Sequence, residues 1–278
     1  MPNRFLMKNN IFQLTEIQTT RYIGFFRFLI FSILYLVANI GTTFALDKKK
    51  EKKEDRILSF CGYDWLVKSS VDSKTGTLAP GNNYFSDSFD NVWVDKNGWL
   101  HLKITHKKGK WYCAEVILTK ALGYKKYIFH IIGRVDQFQQ NVVGGLFTYL
   151  DGKDNGEEID IEFSKWGGVN IDNPTLYGVQ PTDSIGNVKR FNLNLSGDNT
   201  THLFDWQPGK VDFASYHGHY NTPPDPGYII NQWSYSGKDV PVDPRGKMHI
   251  NLWLFKRNEI KHSEKVEAEM VIRSFQAL

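Results

Sequence analysis

Cysteine is scarce: Cys61 and Cys113 are the two in 278 residues. No His or Cys stands at ligand spacing from either, so neither reads as a metal-binding or catalytic thiol. Long hydrophobic runs are also missing. The longest, Phe28 to Ile40, holds 13 residues, short of the roughly 20 that a membrane-spanning helix needs. A charge excess is missing from most of the chain. The formal net charge is +4, but positions 1–45 and 47–56 carry it, and the remainder holds 24 basic against 25 acidic residues. That balance excludes the basic footprint of a nucleic-acid binder and suits an uncharged ligand. Internal repeats and long amphipathic helices are absent too. Short apolar runs punctuated by Gly, Pro, Asn and Asp take their place, the pattern of a β-sandwich or barrel.

The N-terminus reads as a leader. Arg21 and Arg27 precede the apolar run, and Thr42-Thr43-Phe44-Ala45 closes it with small residues. This is the layout of a secretory signal ending at Ala45, or of an uncleaved anchor over 1–45. Met7 is an alternative start. Residues 47–56, DKKKEKKEDR, carry six basic and four acidic residues without apolar periodicity, so 46–57 reads as a solvated spacer. A single domain over 58–278 is expected to follow, secreted or periplasmic, or membrane-tethered if the leader is retained. In an exported chain Cys61 and Cys113 can pair, which would stabilise by roughly 4 kcal/mol. Two buried free thiols fit as well.

Strands are legible along the domain. Asp95-Lys96-Asn97-Gly98 is a hairpin turn between Val92–Val94 and the alternating Leu100, Leu102 and Ile104. Trp111–Leu118 is a strand with Cys113, Glu115 and Ile117 on one face. Tyr124–Val135 has apolar residues on both faces, as a central covered strand would. Leu146–Leu150 is another strand. Residues 217–246, rich in Gly, Pro, Asn and Tyr, read as a long rim loop carrying Trp233 and Tyr235. In Met248–Leu254, Met248, Ile250, Leu252 and Leu254 face the core, and His249, Asn251 and Trp253 face the other way. The last strand alternates Val266, Ala268, Met270 and Ile272 against Glu267, Glu269 and Val271.

The chain is organised around Glu158-Ile159-Asp160-Ile161-Glu162-Phe163. Period two sends Ile159, Ile161 and Phe163 to one face and three carboxylates to the other. Glu158 and Glu162 stand roughly 13 Å apart at Cα on an extended strand. Converging side chains can bring their carboxyls to the ~5–5.5 Å of a retaining glycosidase. Asp160 lies between them, placed to hydrogen-bond one and raise the pKa of another. An ordinary acidic outer strand face satisfies the same pattern.

This hexapeptide resembles the signature of glycoside hydrolase family sixteen, in the ungapped form of lichenases and xyloglucan transglycosylases. The resemblance extends, more weakly, over about Phe60 to Phe275. It implies a concanavalin A-like jelly roll of two antiparallel sheets with a cleft on the concave face. It implies an endo-acting, retaining β-glucanase for β-1,3-1,4 or β-1,3 linkages, with Glu158 as nucleophile, Glu162 as acid/base and Asp160 between them. A transglycosylase on the same residues and a non-catalytic, lectin-like sandwich are the alternatives. The lectin reading does not need Glu158 and Glu162 together.

The resemblance also nominates sugar contacts. Tyr177–Pro181 corresponds to the strand that places Gln180 near the catalytic pair. The Asn-Leu-Trp strand makes Asn251 and Trp253 cleft residues. Glu115 corresponds to a cleft Glu, although Ile117 stands where the family often has Arg. Gly156 stands where lichenases have a Trp platform, so Trp166 on the following loop is a candidate substitute, or else a ring folded onto the sandwich edge. His202-Leu203-Phe204-Asp205-Trp206 resembles the family's H-x-F-D-W strand, with Phe204 and Trp206 in the core. The expected partner is a polysaccharide, bound by a monomer that touches neither nucleic acid nor, beyond the leader, a membrane. No redox cofactor is implied. Structural calcium occurs in similar proteins, but no ligand loop places it here.

Overall fold

A computed structural model describes residues 54–153, 157–168, 174–261 and 265–278. The chain divides into two units, 1–52 and 53–278, and all described residues belong to the second. The leader, most of the spacer and Gly156 lie outside them.

Seventeen strands are found among the described residues. The first nine are β1 (Ile57–Phe60), β2 (Tyr63–Val67), β3 (Tyr84–Phe85), β4 (Val92–Val94), β5 (Leu100–Lys103), β6 (Thr105–Lys107), β7 (Lys110–Leu118), β8 (Lys126–Ile132) and β9 (Val142–Tyr149). The rest are β10 (Ile159–Ser164), β11 (Thr175–Val179), β12 (Val188–Phe191), β13 (Asn199–Gln207), β14 (Lys210–His217), β15 (Ile229–Tyr235), β16 (Lys247–Leu254) and β17 (Glu269–Ala277).

They form a jelly-roll sandwich of two antiparallel sheets. The concave sheet runs β1-β2-β7-β16-β9-β10-β11-β12, with β3 and β6 also paired to β7. The outer sheet runs β15-β14-β13-β8-β17-β5-β4. The β3–β7 pairing is parallel.

Alternation explains which face each strand buries. Met248, Ile250, Leu252 and Leu254 on β16 and Ile159, Ile161 and Phe163 on β10 all enter one core. Facing them from the outer sheet are Phe129, Phe204, Trp206, Met270 and Phe275. Fully burying one such side chain contributes roughly 1.5–3 kcal/mol. Tyr177 on β11 reaches across the sandwich. Its ring stacks on Phe213 at 5.0 Å, and its hydroxyl donates to Ser215 Oγ at 2.7 Å. His202 belongs to this core as well. Its ring meets Phe163 at 4.6 Å, its nitrogens bond Ser215 and Thr200, and burial pushes its pKa down to about 3. The central position of β8, between β13 and β17, accounts for its two apolar faces. Ile128 points away from the main core into a satellite cluster with Leu203, Ala214 and Tyr216.

The structure corrects several readings. β8 ends at Ile132, three residues early, because Gly133 turns with φ +109° and Val135 starts a 3₁₀ turn. The expected 217–246 loop contains β15. Trp233 and Tyr235 therefore lie on the edge strand of the outer sheet, where Trp233 stacks on Phe213 at 5.3 Å, away from the cleft. The folded part begins inside the expected 46–57 spacer. β1 starts at Ile57, and the Arg56 guanidinium donates to the Asp87 and Val92 carbonyls over the Phe89 ring. Cys61 and Cys113 are free thiols. Cys61 sits exposed in the β1–β2 turn and accepts from Phe275 N–H at 3.3 Å. Cys113 is buried on β7, donates to Asn83 Oδ1, and is pushed up to about 12 by burial.

Candidate active site

The concave sheet builds its floor in cross-strand rows. In one row Glu115 (β7) pairs with Asn251 (β16), Asn251 with Gly145 (β9), and Gly145 with Glu162 (β10). In the next, Ile117 pairs with His249, His249 with Phe147, and Phe147 with Asp160. Glu158 immediately precedes β10 and is held by the Gln180 N–H on its carbonyl at 3.0 Å. These rows line a cavity of about 460 Å³. The residue at 145 must be small. A Cβ there would come within 2.5 Å of Asn251 Oδ1, so its absence opens the space between Glu162 and Asn251. That oxygen has no hydrogen-bond partner among the described residues.

Proton placement separates the three carboxyls. Asp160 is 3% exposed. Burial, the neighbouring Glu158 charge and a hydrogen bond to Glu158 hold its pKa well above the ordinary value. Asp160 therefore keeps its proton and donates it to Glu158, while its Oδ2 accepts from Gln180 Nε2 at 3.2 Å. Glu158 is raised to about 7 by burial, with the Asp160 hydrogen bond working the other way and Glu162 and Glu115 adding repulsion. Glu162 is raised to about 8, by burial and then by Asp160, with Arg190 opposing. Both Glu158 and Glu162 are thus held above the usual carboxylate range, and Glu158 has Asp160 as a hydrogen-bond donor against which to ionise. Two carboxyls whose surroundings split their roles are what acid and nucleophile require.

Deeper across the floor, Glu115 is 1% exposed. Its carboxylate accepts from Lys68 Nζ at 2.7 Å and from His249 Nδ1 at 2.9 Å. Burial alone would raise its pKa, but the Lys68 ammonium and the His249 N–H hold it below the usual carboxylate value. Lys68 also donates to the Ala79 carbonyl at 2.8 Å, tying down the Leu78–Pro80 segment that walls this end of the cavity.

The structure thus brings Glu158, Asp160, Glu162, Glu115, Asn251 and Trp253 to one cavity. Trp253 is only 7% exposed, because Gly81 packs against its ring and Trp166 meets it edge-on at 6.4 Å. Gln180 is not in the lining and acts on the site through Asp160. Trp166 is not in the lining either. It packs behind Trp253 and against Phe255, with its indole N–H on the Pro174 carbonyl at 3.0 Å. Gly156, where a platform Trp was sought, lies outside the described residues. Sequence reasoning missed Lys68, Phe147 and Tyr149 as lining residues and gave His249 a face without a role. Alternation in Leu146–Leu150 signals Phe147 and Tyr149, whereas no pattern in the sequence marks Lys68.

Fold and site together define the class: a jelly-roll sandwich with an acidic strand in its cleft. Solved structures of the same fold include a Bacillus licheniformis β-glucanase, with TM-score 0.56 and 19% identity over 82% of this chain and 99% of that one. They also include a β-1,3-1,4-glucanase (lichenase) from a mouse hindgut metagenome, with TM-score 0.51 and 18% identity over 77% and 98%. A third is a Mycobacterium tuberculosis antigen described as a pseudo β-1,3-glucanase, with TM-score 0.53 and 16% identity over 75% and 88%. No family profile and no curated protein sequence matches the chain. At these identities the likeness establishes the fold.

Proposed function

We propose that the protein is an endo-acting, retaining β-glucan hydrolase of glycoside hydrolase family sixteen type. The observation that carries this is the convergence of Glu158, Asp160 and Glu162, all held above the usual carboxylate range, on the floor of one cavity in a fold shared with solved β-glucanases. Glu162 gives its proton to the glycosidic oxygen as that bond breaks, and the Glu158 carboxylate forms a bond to the anomeric carbon. The departing chain leaves as an alcohol, and the remaining sugar is held as an ester on Glu158. Water then attacks the same carbon, Glu162 takes its proton, and Glu158 is released with the β configuration restored. Asp160 orients Glu158 through the donated proton, and Gln180 orients Asp160.

Reducing-end release from laminarin, lichenan, xyloglucan, agarose and carrageenan tests this reading. Activity on a β-glucan, with the β-anomer appearing first by proton NMR, supports it. A first-formed α-anomer or activity on none of the five refutes it. A competing sugar acceptor in the same assay reports transglycosylation, which the same residues can perform.

A further inference from the structure

His249 belongs to the cavity but to neither catalytic step. Glu115 is ionised, and a carboxylate only accepts, so the hydrogen at His249 Nδ1 must lie between them. The tautomer is thereby set. In the neutral form of an imidazole whose Nδ1–H is committed to a carboxylate, the lone pair stays at Nε2. Nε2 has no protein partner among the described residues, and it is not one of their sealed, unpartnered atoms. The ring lines the cavity, braced by Phe147 at 4.8 Å and Tyr149 at 6.0 Å. Lys68 matches the Glu115 charge, so the trio brings no net charge to this end of the cavity. An unpaired acceptor in a neutral, aromatic-flanked wall calls for an uncharged donor. A sugar hydroxyl meets that description, and a sulfate or carboxylate does not.

We infer that His249 is a specificity-determining residue, whose Nε2 accepts a hydrogen bond from a sugar hydroxyl in a subsite removed from the scissile bond. Glu115 and Lys68 are its positioning residues. The inference rests on the glycan-hydrolase reading above and adds to it that the glycan is uncharged here. Register gives the reach: His249 stands two strands from Asp160 in the same row, roughly 10 Å across the floor. Only a ligand longer than one ring can touch both.

Two measurements test this. Nitrogen-15 NMR of the wild-type imidazoles is expected to show His249 protonated at Nδ1, reverting in Glu115→Gln. An Nε2–H tautomer in the wild type overturns the inference. In the second, oligosaccharides of increasing length from a hydrolysed substrate are titrated into Glu162→Gln, with and without His249→Phe. The phenyl ring keeps the packing on Phe147 and removes both nitrogens. Binding is expected to weaken about three- to tenfold for the longer sugars and to stay unchanged for a monosaccharide glycoside. Equal loss at every length, or no loss, overturns the role of His249 while leaving the hydrolase reading intact. Absence of both hydrolysis and binding overturns the hydrolase reading, and the His249 role with it.

Discussion

Replacing Glu162 by Gln keeps the side-chain shape and removes one titration. The magnitude follows from the raised pKa. Glu162 moves from 4.5 unfolded to about 8 folded, so the folded state binds the extra proton between those values. Stability from this group is fully present below pH 4.5 and is lost as pH rises through 8. Each unit of separation is worth about 1.4 kcal/mol. Water reaching the cavity face of the carboxyl discounts the total, leaving a loss of roughly 2–4 kcal/mol between pH 5 and pH 8.5. Glu162→Gln is free of that loss. At 2–4 °C per kcal/mol for a domain of this size, its melting temperature should match the wild type near pH 5. It should exceed the wild type by roughly 4–16 °C at pH 8.5. The Glu158–Asp160 pair is also raised, chiefly by burial, and slopes both curves, so their difference reports Glu162 together with its smaller repulsion of Glu158. Differential scanning calorimetry across pH 4.5–9 is the assay. Parallel curves would mean that Glu162 carries no proton at neutral pH and would remove it as the acid.

Gly145→Ala should displace Asn251, since the new methyl meets its oxygen at 2.5 Å. A stability cost of about 1–3 kcal/mol is expected, with a fall in glucan kcat/KM beyond what the lost stability explains. Normal turnover in a folded variant would count against Asn251 as a cleft residue. A thiol reagent should label Cys61 in the native protein and Cys113 only after unfolding, and mass spectrometry of the unreduced, unfolded protein should find two labels. Finding none would restore the disulfide. If the leader is processed at Ala45, N-terminal sequencing of exported protein should begin at Leu46, and a chain starting at Met1 or Met7 would favour an anchor.

The period-two pattern made much of the sandwich legible, because each strand buries one face and shows the other. β16 is the clearest instance. Its four apolar residues entered the core, and His249, Asn251 and Trp253 took the cavity side. Where burial is less one-sided, the reading failed. β15 was hidden by the Gly, Pro and Asn around it, since an edge strand needs little apolar alternation of its own. Trp166 could be placed on a loop, but not on one side of Trp253 or the other, because loop direction depends on distant packing. The Lys68–Glu115–His249 cluster joins residues up to 181 positions apart, and only cross-strand register brings them together. The carboxylate trio was legible because β10 and the residue just before it carry all of it.

The most direct test of the central claim is the stereochemistry of azide rescue in Glu158→Ala and Glu162→Ala, using an activated aryl β-glycoside. Both variants should have nearly lost polymer hydrolysis. In Glu158→Ala, azide fills the place of the missing nucleophile and should give the inverted α-glycosyl azide. In Glu162→Ala the ester on Glu158 still forms, azide intercepts it, and the product should be the β-glycosyl azide. Swapped products would reverse the two roles, and full polymer activity in either variant would take the strand out of the chemistry.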